Sequence, residues 1–135
     1  MTAITAPTTT ARDSFLRFAL RLDAVITGVM GAVCAAIVPQ LSSLSGLSTR
    51  TEYALSAFFV VYGVTVFGLS LLTSVRRPGI GVILANLLYT VAALVVVLAG
   101  VWPLTTTGIV LTLGSGVYTL VMADLQYLGL RRMRG

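Results

Sequence analysis

The stretch PGIGVILANLLYTVAALVVVLAGVWPLTTTGIVLTLGSGVYTLVMA, residues 78–123, runs for 46 residues without an Asp, Glu, Lys or Arg. A helix that crosses a bilayer needs about 20 predominantly apolar residues, so this run has room for two. Trp102-Pro103 and the threonines at 105, 106 and 107 mark the turn between them. Proline cannot continue a helix, and a threonine hydroxyl can cap the next one. Working outward, residues 24–49 and 53–75 are also uncharged, and each is long enough for one further span. The expectation is an all-α, polytopic membrane four-helix bundle, up-down-up-down, with spans near 18–38, 53–73, 79–102 and 108–130.

Composition points the same way. The chain has 135 residues, 57% of them hydrophobic and 10% charged, with a mean hydropathy of +1.00. A soluble domain carries about 25% charged residues, so this chain lacks the polar groups to coat a water-facing surface. The length fits a single bundle over 12–135, preceded by a Thr-rich tail over 1–11 that reads as disordered. Thr10 with Asp13 resembles a helix start, and Phe15, Phe18, Ala19 and Leu22 follow as an amphipathic entry to the first span. Pro39 is expected to end that span. Beyond it lies a Ser-rich connection whose Leu41, Leu44 and Leu47 would rest on the membrane surface. Thr49-Arg50-Thr51-Glu52 has the form of a capping box for the second span, and Pro78 suits the first turn of the third. Val33-Cys34-Ala35 also loosely fits a signal-peptide cleavage site, but the segment ahead of it is long for a signal, and the first span is read as retained.

All nine basic residues are arginines, and the net charge is +5. Arg12, Arg17 and Arg21 precede the first span, Arg76 and Arg77 lie between the second and third, and Arg131, Arg132 and Arg134 follow the fourth. Strict alternation puts these eight on one side and leaves Arg50 alone on the other. The positive-inside bias therefore places both termini in the cytoplasm, with the spans in the cell membrane. Tyr53 and Trp102 fall at the outer interface and Tyr127 at the inner one, where aromatic anchors are expected. Arginines at span ends suit anionic lipid headgroups and do not form the basic face that a nucleic acid requires.

Three polar residues interrupt the apolar spans in the cytoplasmic half. A rise of 1.5 Å per residue puts Asp23 about 7 Å into the first span, Asn86 about 10 Å along the third and Asp124 about 9 Å from the end of the fourth. With Arg21 and Arg77, and with Arg76 and Arg131 near them, they read as an ion-pair and hydrogen-bond layer that clips the helices together. The competing reading is a cytoplasm-open polar cleft for a cation or proton. Tyr62, Tyr89 and Tyr118 form a second layer near mid-membrane, with Thr27, Thr65, Thr90 and Ser115 as candidate partners. Their hydroxyls would either bond between helices or line a pocket for a lipid tail or an aromatic small molecule. Ala24, Gly28 and Ala32, with Gly31 and Ala35 beside them, and Thr112 with Gly116, form the small-residue faces that let membrane helices pack closely.

The absences narrow the function. The chain has no His and a single cysteine, Cys34, so an internal disulfide is excluded and no metal or cofactor is expected. No nucleophile–base set, CxxC, HExxH or P-loop occurs, so no catalytic site and no enzyme is expected. The resulting expectation is an accessory or interaction subunit of the cell membrane, as a homo-oligomer or bound to a larger membrane protein. The alternative is a small homodimeric transporter or channel that uses the polar cleft.

Arg21-Leu-Asp-Ala-Val-Ile-Thr-Gly28, together with Asp124-Leu-Gln-Tyr-Leu-Gly-Leu-Arg-Arg132, resembles a group of small actinobacterial four-span integral membrane proteins. These tend to open on Arg-Leu-Asp-Ala-Val and to close on an acid-Leu-Gln…Leu-Arg-Arg stretch. The group carries no assigned activity, so the resemblance implies topology and directs attention to Asp23 and Asp124. Small multidrug-type exporters share the span count, but they centre their coupling on a Glu in the first span, where this chain has none.

Overall fold

The computed structural model describes residues 12–133. The tail expected over 1–11 lies outside them, as do Thr10 and Arg134. Five helices and no strands occur among the described residues: α1 (Ser14–Ala36), α2 (Val38–Ser45), α3 (Thr49–Leu69), α4 (Arg76–Leu98) and α5 (Thr106–Arg132). All but α2 are long and apolar enough to cross a membrane. The chain is a four-span helical bundle, a multi-pass membrane protein.

α1 packs most extensively on α3, α4 packs on α5, and α1 against α5 joins the two pairs. The backbones of α3 and α4 stay apart, and long side chains close the gap. The Phe59 and Tyr89 ring centroids lie 6.0 Å apart, and the Tyr62 hydroxyl reaches Asn86 at 3.1 Å. The α1–α3 crossing is close because it is built on glycine. A Cβ at Gly63 would lie 2.6 Å from the Ala24 carbonyl oxygen and 2.7 Å from Gly28 Cα. Gly31 meets the α3 backbone at Ser56 and Val60 in the same way. Three of the small residues expected on the first span, Ala24, Gly28 and Gly31, thus find their neighbour in the same chain, whereas Ala32 is exposed. Gly116 faces Ala93 and Thr90 on α4, and Gly129 abuts the backbone of Leu16, which sets the start of α1 level with the end of α5.

Several boundaries differ from expectation for identifiable reasons. The connection after the first span is a helix. α1 stops at Ala36, the chain breaks at Ile37 (φ −122°, ψ 23°), and Pro39 sits in the first turn of α2, where its fixed φ and missing N–H cost nothing. Leu47, expected on the membrane surface, is buried, while Leu44 is exposed. The cap of α3 is Ser48, whose Oγ accepts from the Thr51 amide at 3.2 Å. Thr49 is already helical, and Glu52 is not a box partner: it is buried and accepts from the Ser45 hydroxyl at 3.1 Å. α4 ends four residues short of Trp102, with Gly100 in the left-handed region (φ 63°), so glycine rather than Pro103 terminates it. Thr105 caps α5, accepting from the Gly108 amide at 3.0 Å.

Candidate functional site

Asp23 lies on the inward face of α1 and is fully buried. Its Oδ2 accepts from the Tyr62 hydroxyl of α3 at 2.8 Å, from Asn86 Nδ2 of α4 at 3.0 Å and from Gln126 Nε2 of α5 at 2.9 Å. Its Oδ1 accepts from the Thr27 hydroxyl one turn along α1 at 3.1 Å and from the Tyr118 hydroxyl of α5 at 2.9 Å. Four helices thus converge on one carboxylate. Among the described residues no arginine reaches it, and the charge is met by neutral donors alone.

The donors are themselves tied together. Asn86 spends its second amide hydrogen on Gln126 Oε1 at 3.0 Å, and its own Oδ1 lies 3.1 Å from the Tyr62 hydroxyl, whose one hydrogen is directed chiefly at the nearer Asp23 Oδ2. The Thr27 and Tyr118 oxygens are 3.1 Å apart, and either can donate. Above this layer Thr90 bonds Thr119 at 2.8 Å and the Gly116 carbonyl at 3.0 Å, and Tyr89 bonds Ser115 at 2.9 Å, sewing α4 to α5. Each of these groups sits within a helix whose backbone is self-satisfied, so the side chains must find one another.

The two expected layers are therefore redistributed. Asp23 and Asn86 come together and draw in Tyr62 and Tyr118. Tyr89 does not join them and bonds Ser115 instead. A shallow apolar groove on the outer face of α3, along Ala54, Ala57, Phe58 and Val61, takes in Tyr62 only. Asp124, Arg21 and Arg77 are all exposed and outside the network, which corrects the single five-residue layer. Arg21 turns to Ser70, with Nε 3.2 Å from its Oγ. Asp124 projects from the face of α5 opposite the core, and among the described residues it has no hydrogen-bond or ion-pair partner. The ion pair that does form joins Arg17 to the fully buried Asp13 at 3.0 Å. Arg17 also donates to the Ser70, Leu72 and Thr73 carbonyls at 2.9, 2.6 and 2.7 Å, closing the C-terminal end of α3.

Gln126 is the member that sequence reasoning missed. Helical spacing contains the signal, because Gly116, Thr119, Ala123, Gln126 and Leu130 recur at three and four residues on the buried stripe of α5. Asp124 stands about 120° from the centre of that stripe. Charge drew attention to 124, whereas periodicity selects 126.

The helices and the polar hub define a helical, four-span membrane protein with a buried, hydrogen-bonded acid at its centre. No protein-family model, curated protein or solved structure matches the chain.

Proposed function

We propose that the chain is a non-enzymatic interaction subunit of the cell membrane, with both termini cytoplasmic, that docks on a larger membrane protein. The observation that supports this is Asp124. It stands about 12 Å from the end of α5, counting 1.5 Å per residue back from Arg132. Its neighbours on that face are Val117, Leu120, Val121 and Leu128, all exposed, with Tyr127 and the Arg131 that lies over its ring towards the end of the helix. An acid set towards lipid is costly and calls for a partner, which a helix carrying an arginine, a lysine or an amide at that depth would supply. The acid at the centre of the bundle, Asp23, already has all its donors within the chain, so it calls for no outside partner. Arg76, Arg77, Arg131 and Arg132 gather at the same end, where anionic headgroups would hold the subunit in place at roughly 1 kcal/mol per charge.

Native mass spectrometry of the tagged protein, extracted from its own membrane in mild detergent, tests the reading. A stoichiometric second protein, lost from the Asp124→Lys variant and kept in Asp124→Asn at reduced occupancy, is the expected result. A homodimer without a second protein would refute it and favour a small transporter instead. A lone monomer would refute both.

A further inference from the structure

We propose that Asp23 Oδ1 is a reversible proton-binding site, with a hydrogen-bond network that is complete in both the ionised and the protonated form without movement of a heavy atom. This does not depend on the interaction-subunit reading. The two carboxylate oxygens have different surroundings. Two of the three hydrogens on Oδ2 come from the amides of Asn86 and Gln126, which can only donate there. Both hydrogens on Oδ1 come from hydroxyls, those of Thr27 and Tyr118, which can rotate and can also accept.

The rearrangement on protonation follows from distances already present. A proton from water forms an O–H bond at Oδ1, and that O–H donates to Thr27 Oγ1, 3.1 Å away. Thr27 then turns its hydrogen to Tyr118 Oη at 3.1 Å. Tyr118 turns its own hydrogen to the Asp23 main-chain carbonyl, which lies 3.3 Å from its oxygen. Each hydrogen keeps an acceptor, the three bonds to Oδ2 are untouched, and the site changes by one unit of charge. Release is the reverse, with the proton returned to water. Thr27 and Tyr118 are only half-buried, so the exchanging side of the carboxylate is also the side nearer the bundle surface.

The groups that face Asp23 from each helix packed around it are Thr27 on α1, Tyr62 on α3, Asn86 on α4, and Tyr118 and Gln126 on α5. The tyrosines are the titratable ones, and none of the five is cationic. Asp13 differs, because the fork of Arg17 holds both of its oxygens.

Infrared difference spectroscopy across pH steps, on the whole chain in nanodiscs of uncharged lipid with carboxyl-13C aspartate, reads the proton directly. The chain has only four acids, Asp13, Asp23, Glu52 and Asp124, so assignment is tractable. The expected result is a reversible labelled carboxyl C=O band on the acid side. The band is lost in Asp23→Asn, retained in Asp124→Asn, and accompanied by a tyrosine ring-mode change at constant helical circular dichroism. Tyr118→Phe keeps Asp23 and all three Oδ2 donors, and it should shift the frequency of the band and abolish the tyrosine change. That variant carries the test if Asn at 23 does not fold. A C=O band that appears only as helicity is lost, or one that Tyr118→Phe leaves in place with the tyrosine change intact, would overturn the proposal. Absence of any Asp23 band in the folded protein would do the same.

Discussion

Gly63→Ala is a one-carbon probe of the crossing that positions the hub. The new Cβ would sit 2.6 Å from the Ala24 carbonyl oxygen, 2.7 Å from Gly28 Cα and 2.9 Å from Gly28 N. All three are backbone atoms of α1, so no rotamer change relieves the contact and the two helices must separate. Overpacking of this kind costs about 1–3 kcal/mol. The intrinsic helix preference of Ala over Gly returns at most about 1 kcal/mol. Gly114 and Gly81 provide the reference, since a Cβ at either meets nothing within 4 Å, and Ala there should be neutral or mildly stabilising. Gly28 is a graded control: its added Cβ meets only Gly63 Cα, at an ordinary 3.6 Å. Reversible unfolding in mixed micelles of increasing denaturing-detergent fraction, followed by circular dichroism, measures the series. The helix preference is common to both sites and cancels, so Gly63→Ala should fall about 1–3 kcal/mol below Gly114→Ala, with Gly28→Ala between them. Tyr62 adjoins Gly63, so separation should also weaken the 2.8 Å bond to Asp23, visible as a change in tyrosine environment. Equal stability for Gly63→Ala and Gly114→Ala would refute the glycine-built crossing.

Three further outcomes are expected. Arg17→Gln should cost about 2–4 kcal/mol in the same assay, because it strands a fully buried Asp13 and uncaps three carbonyls; Arg17→Lys should recover only part, lacking the fork, and hydrogen exchange over 70–75 should rise in both. Ser48→Ala should lower stability by about 1 kcal/mol while Thr49→Ala changes little, since Ser48 is the cap and Thr49 the first helical residue. Single cysteines placed at Ser74 and at Thr107 in a Cys34→Ser background should differ in labelling by a membrane-impermeant thiol reagent on intact cells: Thr107→Cys reacts and Ser74→Cys does not, and the opposite pattern would invert the proposed topology.

Much of the architecture was readable from local rules, and the failures were tertiary. The four spans follow from runs of uncharged residues, a property of the chain alone, and the helices cover them to within a few residues. The connection at 38–48 was misread because its order comes from contacts elsewhere. Thr105 N donates to the Ser45 carbonyl at 3.0 Å, and Glu52 is drawn to Ser45, so α2 is held by the α4–α5 turn and by α3. In the hub, Asp23 and Asn86 stood out because polar atoms inside apolar runs need partners. Their partners did not, because a tyrosine or glutamine reaches several ångströms and depth alone does not give direction. Pairing Asp23 with Arg21 or Arg77 failed for an identifiable reason. α3 ends at Leu69 with carbonyls to satisfy, and Arg17 and Arg21 turn to Ser70 beyond it. An arginine at a span end meets a helix C-terminus more readily than a carboxylate a turn deeper.

The acids of this chain show how an ionisable group can be kept in a bundle without a cation. An Asp at the centre of a span costs about 2.5–3.5 kcal/mol on insertion scales, and an interhelical hydrogen bond in a membrane contributes about 0.6 kcal/mol on average. Asp23 receives four such bonds from α3, α4 and α5, besides that of Thr27, so bonding and burial come close to balance. Near-balance means the residue adds little net stability; what it adds is uniqueness. Only one mutual rotation of the four helices brings Tyr62, Asn86, Tyr118 and Gln126 to the same two oxygens, and any other leaves several buried donors without an acceptor. Asp124 has the same cost with no donor in the described chain to offset it. Selection for folding alone would favour an apolar residue at 124. Valine and leucine flank Asp124 on one side and Tyr127 with Arg131 on the other, and under the proposed reading the acid is retained for a contact made with another molecule.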